Sequence, residues 1–255
     1  MNTVTVDSQG DVTTVRLRRP DVRNALNEAM IAELTQAFGG LPTSTRVAVL
    51  AGEGSAFCAG ADAEWMKRSK AFSREENERD AAALARLLTT IDECPVPVIA
   101  RVSGAALGGG AGLVAACDIA VADEAAQFGF PEVRLGLVPA VISTFVLPRI
   151  GTRAARRYFL TGERFAAPQA LALGLVHEVT RADALDSKVE GIVREILLGG
   201  PKAVGAAKRL IRDIAGLPRD RAIEETIRII SGIRVSPEAQ EGLGAFLEKR
   251  KPHWP

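Results

Sequence analysis

The chain has 255 residues, 47% of them hydrophobic, which is enough to bury the core of one large domain and excludes a disordered chain. Its 32 lysines and arginines nearly balance 31 aspartates and glutamates, so the net charge of +1 gives no general attraction to nucleic acid or to an anionic membrane. Its apolar runs are far shorter than the roughly 20 residues of a membrane span and its first residues lack a secretory signal, so we expect a cytoplasmic protein with no nucleic-acid or membrane partner.

Short strands and one helix are predicted at the start of the chain. Residues 3–7 and 12–17 alternate apolar and polar side chains around a turn at Gly10, which predicts a β-hairpin. Asn24 is a suitable N-cap for a helix that continues to about Phe38. An apolar run at residues 47–50 then predicts a buried strand.

Beyond residue 75 the predicted elements change from mixed to helical. An amphipathic helix is predicted over residues 75–91, followed by a strand that begins at Val98. From Ala182 onward every segment is helical in pattern, with breaks at glycine and proline. The pattern therefore predicts an α/β fold, with a core at residues 1–181 and a helical region at 182–255.

Two glycine-rich turns follow predicted strands, at residues 52–62 and 103–113. Small residues allow backbone N–H groups to approach a ligand closely, and the second turn opens an apolar helix whose first N–H groups are free. Many such turns are only tight connections, but neither contains a dinucleotide-binding or P-loop motif. Two turns that each supply one donor suit a ligand whose oxygen becomes negative during reaction.

Cysteine and histidine chemistry is not expected. The three cysteines, Cys58, Cys94 and Cys117, form no C-x-x-C pair, and we expect them to be reduced. The two histidines, His177 and His253, offer neither a zinc-ligand cluster nor a convincing catalytic triad. The chemistry must therefore use carboxylates and backbone groups, without a metal.

The order of several motifs resembles the crotonase (enoyl-CoA hydratase/isomerase) family. These motifs lie at residues 56–62, 104–110, 117–120 and 128–132, and the resemblance extends from residue 24 to the tail at 245–250. It implies a crotonase-type spiral of ββα units with a C-terminal helical region at residues 182–255 that serves oligomerisation and site closure. The assembly would be a homotrimer or a dimer of trimers. It also implies an acyl-CoA thioester substrate, no separate cofactor, and an oxyanion hole formed by the backbone N–H groups of Ala61 and Gly109.

The same resemblance assigns the binding residues. The coenzyme A contacts would be Arg23, Ala25, Asp62 and Lys249, and the acyl pocket would be lined by Trp65, Gly112, Phe130 and Val141. Each assignment has a simpler alternative. The basic residues could be solvated surface charges, Asp62 could order its turn, and the aromatic side chains could belong to the core.

Glu132 is the expected catalytic residue, because it occupies one of the two glutamate positions of the family's hydratases. The other position is Gly112, which cannot orient water and would leave space for a branched or carboxylated acyl chain. Three functions remain open: a one-carboxylate hydratase similar to the methylglutaconyl-CoA hydratase branch, a Δ3,Δ2-enoyl-CoA isomerase, and a non-catalytic acyl-CoA-binding or RNA-associated protein.

Overall fold

The computed structural model describes residues 1–254. Its strands are β1 (Val4–Gln9), β2 (Val12–Leu17), β3 (Val47–Gly52), β4 (Val98–Val102), β5 (Ala105–Leu107), β6 (Ile119–Asp123), β7 (Gln127–Gly129), β8 (Arg164–Ala166) and β9 (Glu178–Thr180). Its α-helices are α1 (Glu28–Gly39), α2 (Ala63–Ser69), α3 (Arg74–Asp92), α4 (Gly109–Ala116), α5 (Ala140–Thr161), α6 (Ala167–Ala172), α7 (Leu185–Leu198), α8 (Pro201–Ile214), α9 (Arg219–Arg234) and α10 (Pro237–Leu247).

Successive turns of chain contribute strands to two different sheets. The larger sheet has the order β1-β2-β3-β4-β6-β9, antiparallel between β1 and β2 and parallel thereafter. The smaller sheet has the order β5-β7-β8. Because β4 and β6 lie in the large sheet while the strands that directly follow them, β5 and β7, lie in the small one, the chain winds as the predicted ββα spiral.

Successive side chains along the strands of the large sheet point to opposite faces, and each face is buried in its own hydrophobic core. Ala48, Leu50 and Ala100 face the main core, which also contains buried residues of α1, α3 and α4. Val47, Val49, Ile99 and Val121 lie in a second core with Leu185, Val189 and Val193 of α7. The first long helix of the predicted helical region is therefore fixed to the sheet.

Most predicted elements are present, with one correction at the first helix. The hairpin, the strand at residues 47–50 and the helix at 75–91 are found as β1 with β2, β3 and α3. The predicted N-cap at Asn24 is wrong, because α1 begins at Glu28 and the Asn27 side chain accepts a hydrogen bond from the Met30 N–H at 3.0 Å. Asn24 instead has left-handed backbone geometry and is fully buried.

The other broad expectations concern the cysteines and the C-terminal region. Cys58, Cys94 and Cys117 are all buried and free, as predicted. The large sheet ends at Thr180, and α7 to α10 follow without another strand within the described chain. None of the helices up to residue 254 is both long enough and apolar enough to cross a bilayer.

Candidate active site

The first glycine-rich turn is held against the segment at residues 23–26 by backbone hydrogen bonds. The Leu26 N–H donates to the Gly60 carbonyl at 2.7 Å, and the Asp62 N–H donates to the Leu26 carbonyl at 2.8 Å. Ala61 lies between these two bonds and is exposed. Its own N–H donates no hydrogen bond within residues 1–254, so it is free to bind a ligand.

The second turn places another free N–H group beside the first. Gly108 has a φ of 50° and a ψ of −119°, a conformation that favours glycine, and it precedes α4. Gly109 is the first residue of α4 and is half-buried. Its N–H has no acceptor among the described residues, as expected for the first turn of a helix.

The two turns approach so closely that side chains would not fit between them. A Cβ atom on Gly110 would collide with the carbonyl oxygen of Cys58, and one on Gly104 would collide with that of Ser55. Burial beneath these turns raises the pKa of the Cys58 thiol to about 12, so this cysteine stays protonated and inert.

Glu132 brings a carboxylate to the place where the turns meet. It lies in a short 3-10 helix, Pro131–Leu135, that follows β7. A Cβ atom on Gly108 would lie 2.9 Å from Glu132 Oε1 and 4.0 Å from the Cα atom of Gly60. The free amides of Ala61 and Gly109 each lie one residue after these glycines, so the carboxylate lies against Gly108, in the turn that presents the Gly109 N–H, and the Ala61 turn adjoins it.

The environment of the Glu132 carboxylate favours a proton-transfer role. Its Oε2 atom is buried and has no hydrogen-bond partner among the described residues. Burial raises the pKa of this carboxyl above its ordinary value, and only its own backbone N–H opposes the shift. A partly buried carboxylate with an unpaired oxygen and a raised pKa is a typical feature of a functional site.

The space predicted at Gly112 is absent, because another side chain fills it. Gly112 is buried in α4, and a Cβ atom there would lie 2.5 Å from Ile142 Cγ2 and 3.6 Å from Leu88 Cδ1. The prediction that Gly112 leaves room for a branched acyl chain is therefore wrong. The wall at this position is apolar and carries no second carboxylate.

The predicted pocket residues differ in how deeply they are buried. Phe130 is fully buried and packs on Phe159 and Phe165, with ring centroids 4.9 Å and 6.0 Å away, which favours the core alternative over a pocket role. Trp65 in α2 and Val141 in α5 are each half-buried. Their contact with an acyl chain stays a prediction.

Asp62 serves the architecture of the first turn. Its Oδ1 accepts a hydrogen bond from the Trp65 N–H at 3.0 Å and thereby caps α2, and its Oδ2 forms an ion pair with Arg19 at 2.8 Å. Burial alone would raise its pKa, but these hydrogen bonds outweigh burial and lower it. The carboxylate therefore orders its turn, which was the alternative to a coenzyme A contact.

The remaining predicted coenzyme A contacts lie in two regions of the chain. Arg23 is exposed and Ala25 is buried, in the loop that is bonded to the first turn. Lys249 is exposed and follows α10, which packs on α8 and α9. Contacts of these three residues with coenzyme A stay predictions.

Two contributors to the site were missed from the sequence. Ile142 fills the Gly112 position, and Arg19 joins Asp62 to the Ala25 carbonyl. No local motif marks either residue, because each acts on a segment that is distant in sequence. Over residues 1–254, no group of three or more His, Cys, Asp or Glu side chains could hold a metal ion.

Comparison with known proteins agrees with this geometry. The family model described as enoyl-CoA hydratase/isomerase matches residues 7–255. The crystal structure of an enoyl-CoA hydratase from Shewanella pealeana has a TM-score of 0.95 and 40% identity, with coverage of 99% of this chain and 96% of that one. The 2,3-dehydroadipyl-CoA hydratase of Escherichia coli is 32% identical, with coverage of 99% and 98%. The enoyl-CoA isomerase/hydratase fer4 of Mycosarcoma maydis is 31% identical, with coverage of 96% and 94%.

A ββα spiral whose two glycine turns present free amides near a partly buried carboxylate is an arrangement suited to an activated acyl carbonyl. The chain belongs to the enoyl-CoA hydratase/isomerase family, the crotonase family. The prediction of family and fold is thus confirmed, and an acyl-CoA thioester substrate is consistent with the relatives.

Proposed function

We propose that the protein hydrates 2-enoyl-CoA thioesters with Glu132 as its only acid–base carboxylate. The observation that carries this proposal is the Glu132 carboxylate where the two turns meet, with Oε2 buried and unpaired and Oε1 close to Gly108, together with the free N–H groups of Ala61 and Gly109. Hydratase names among the relatives support the reaction class.

In the proposed reaction, the Glu132 carboxylate takes a proton from water while the hydroxyl oxygen bonds to C3 of the acyl chain. The electron pair of the C2=C3 bond moves to the thioester oxygen, and the resulting enolate is stabilised by the Ala61 and Gly109 N–H groups. Glu132, now protonated, returns that proton to C2. The net change is the addition of one water, and no second acid is required.

Isomerisation of a 3-enoyl to a 2-enoyl thioester is the second candidate, and the packing of Ile142 on Gly112 favours it. That apolar wall offers no group to orient water opposite Glu132. A base that removes a proton from C2 and returns it to C4 needs no water. Similarity to an isomerase/hydratase supports keeping both reactions in view.

The acyl chain also belongs to this proposal. Similarity of residues 132–143 to the methylglutaconyl-CoA hydratase branch still supports a branched or carboxylated substrate, although the predicted space at Gly112 no longer does. We keep this preference as a prediction. A panel of straight, branched and carboxylated enoyl thioesters of equal length tests it by kcat/KM.

The deciding experiment supplies the purified protein with crotonyl-CoA and with 3-hexenoyl-CoA in ¹⁸O-labelled water. Hydration incorporates ¹⁸O at C3 of the product, whereas isomerisation gives 2-hexenoyl-CoA without ¹⁸O. Isomerisation alone would replace the first proposal with the second. Binding of both thioesters with no turnover would contradict both and favour the non-catalytic acyl-CoA-binding alternative.

A further inference from the structure

The loop at residues 19–26 contains two consecutive non-glycine residues in left-handed geometry. Arg23 has a φ of 53° and Asn24 a φ of 55°. Such residues are uncommon and asparagine tolerates the geometry best, so a consecutive pair needs support from its surroundings. The buried Asn24 amide supplies that support, because its Nδ2 donates to the carbonyls of Glu53 and Ala56, both at 2.8 Å, and its Oδ1 accepts from the Arg19 N–H at 2.8 Å.

These three bonds hold the loop in register with the first glycine turn. The Ala59 N–H donates to the Arg23 carbonyl at 3.0 Å, and the two backbone bonds of Leu26 bracket Ala61. Because Leu26 bonds to Gly60 and Asp62, the N–H of Ala61 points away from Leu26. A change in register at Asn24 would therefore rotate or displace this N–H.

The Arg19 side chain also bonds both the loop at residues 19–26 and the first glycine turn. Its Nη1 donates to the Ala25 carbonyl at 2.6 Å, and its Nη2 donates to Asp62 Oδ2 at 2.8 Å. The Arg19 side chain is 20% exposed, and the Asp62 side chain is 8% exposed. The guanidinium thus ties the residue before Leu26 to the residue after Ala61.

We propose that Asn24 and Arg19 are positioning residues that fix the direction of the Ala61 N–H toward the reacting carbonyl oxygen. This inference rests on the proposed function in one respect, the role of Ala61 as an oxyanion donor. The physical reason is that an oxyanion hole works only when its donors are fixed before the reaction, and a displacement of about 1 Å can cost about 10²-fold in rate. Neither residue touches the substrate in this scheme.

The test measures carbonyl polarisation directly, with butyryl-CoA labelled with ¹³C at the thioester carbonyl. This saturated thioester has no double bond to hydrate or to move, so its infrared carbonyl stretch reports only the oxyanion donors. We expect binding to wild type to lower the stretch, and Asn24→Gly to return it toward the free value. In the enoyl assay, the loss of about 10–100-fold should fall on kcat more than on KM.

Two further variants make the result specific. Asn24→Gly removes the amide without backbone strain, and Arg19→Gln breaks the outer tie at a partly exposed position, so it decides the question if the glycine variant does not fold. Asn27→Ala is the matched control: it removes the α1 cap and should lower Tm, while the carbonyl shift and kcat stay at wild-type values.

Wild-type carbonyl shift and kcat in folded Asn24→Gly and Arg19→Gln would overturn the proposal. So would an equal loss of carbonyl shift in Asn27→Ala, because the effect would then follow stability alone. No shift in wild-type protein that binds butyryl-CoA would instead contradict the oxyanion hole itself, and with it the proposed function.

Discussion

Replacement of Glu132 by glutamine tests the catalytic assignment, because catalytic and structural roles predict opposite changes in stability. A carboxylate near the start of a short helix would stabilise that helix through its dipole, so its loss would lower stability. At Glu132, however, one oxygen is buried without a partner, and burial raises the pKa of the carboxyl. We therefore expect Glu132→Gln to raise the free energy of unfolding at neutral pH.

The size and pH dependence of this gain follow from the same contacts. A buried unsatisfied polar group costs about 1–3 kcal/mol, and glutamine removes only the charged part of that cost, so we expect a gain of about 1 kcal/mol. Because the raised pKa belongs to an acid, wild type binds its proton more tightly when folded. The deficit of wild type against Glu132→Gln should vanish below the ordinary pKa of 4.5, grow as the pH rises through the elevated pKa, and then level off.

Turnover should change in the opposite direction to stability. Glutamine keeps the shape of the side chain but cannot accept the proton, so kcat should fall by about 10²–10⁴-fold while thioester binding persists. In wild type, kcat/KM should fall as the pH drops through the elevated pKa of Glu132. Urea denaturation across the pH range, enoyl-CoA turnover and butyryl-CoA binding provide the three measurements.

Glu195→Gln is the control, since it removes the same charge from an exposed position on α7. It should leave both turnover and stability close to wild type. A Glu132→Gln protein that is less stable than wild type and fully active would refute the reasoning and return Glu132 to a structural role.

Three other predictions follow from the packing. Gly112→Ala should lower the free energy of unfolding by about 1–3 kcal/mol, because the new Cβ would lie 2.5 Å from Ile142 Cγ2. Urea denaturation should show a smaller loss for the same change in an Ile142→Ala background, and additive effects would contradict the contact. Lys208→Met should lower the free energy of unfolding by about 3 kcal/mol, because the half-buried Asp118 carboxylate loses the Lys208 ammonium group 2.7 Å away. An unchanged urea midpoint would show that this ion pair contributes nothing to stability. Light scattering should report a multiple of the 27.0 kDa chain mass, because Ile227, Phe246 and other apolar side chains of the C-terminal helices are exposed. A mass near 27.0 kDa at micromolar concentration would contradict an oligomer.

Local sequence pattern was sufficient for the elements and for the general nature of the site. Strand alternation at residues 12–17 and the amphipathic pattern at residues 75–91 depend on neighbours along the chain, and both elements are found as predicted. The glycine turns at Gly60 and Gly108 were visible for the same reason, because a small residue in a tight turn is a local requirement. Motif order then indicated the family.

Contacts between distant segments decided the rest. Asparagine is a favoured N-cap residue, which was the reason for the prediction at Asn24. Its side-chain amide instead donates hydrogen bonds to two carbonyls about 30 positions later, and these bonds hold Asn24 in a buried position. The glycine at position 112 suggested free space, but α5 places Ile142 against it. The packing of Phe130 on Phe159 and Phe165 could likewise not be read from its local sequence. The sequence by itself determined the family and the local elements, and it named the backbone groups and the carboxylate that are candidates for chemistry. Only the tertiary structure decided which cavities stayed open, because the volume beside a residue is set by whatever packs there, and close packing leaves few gaps unfilled.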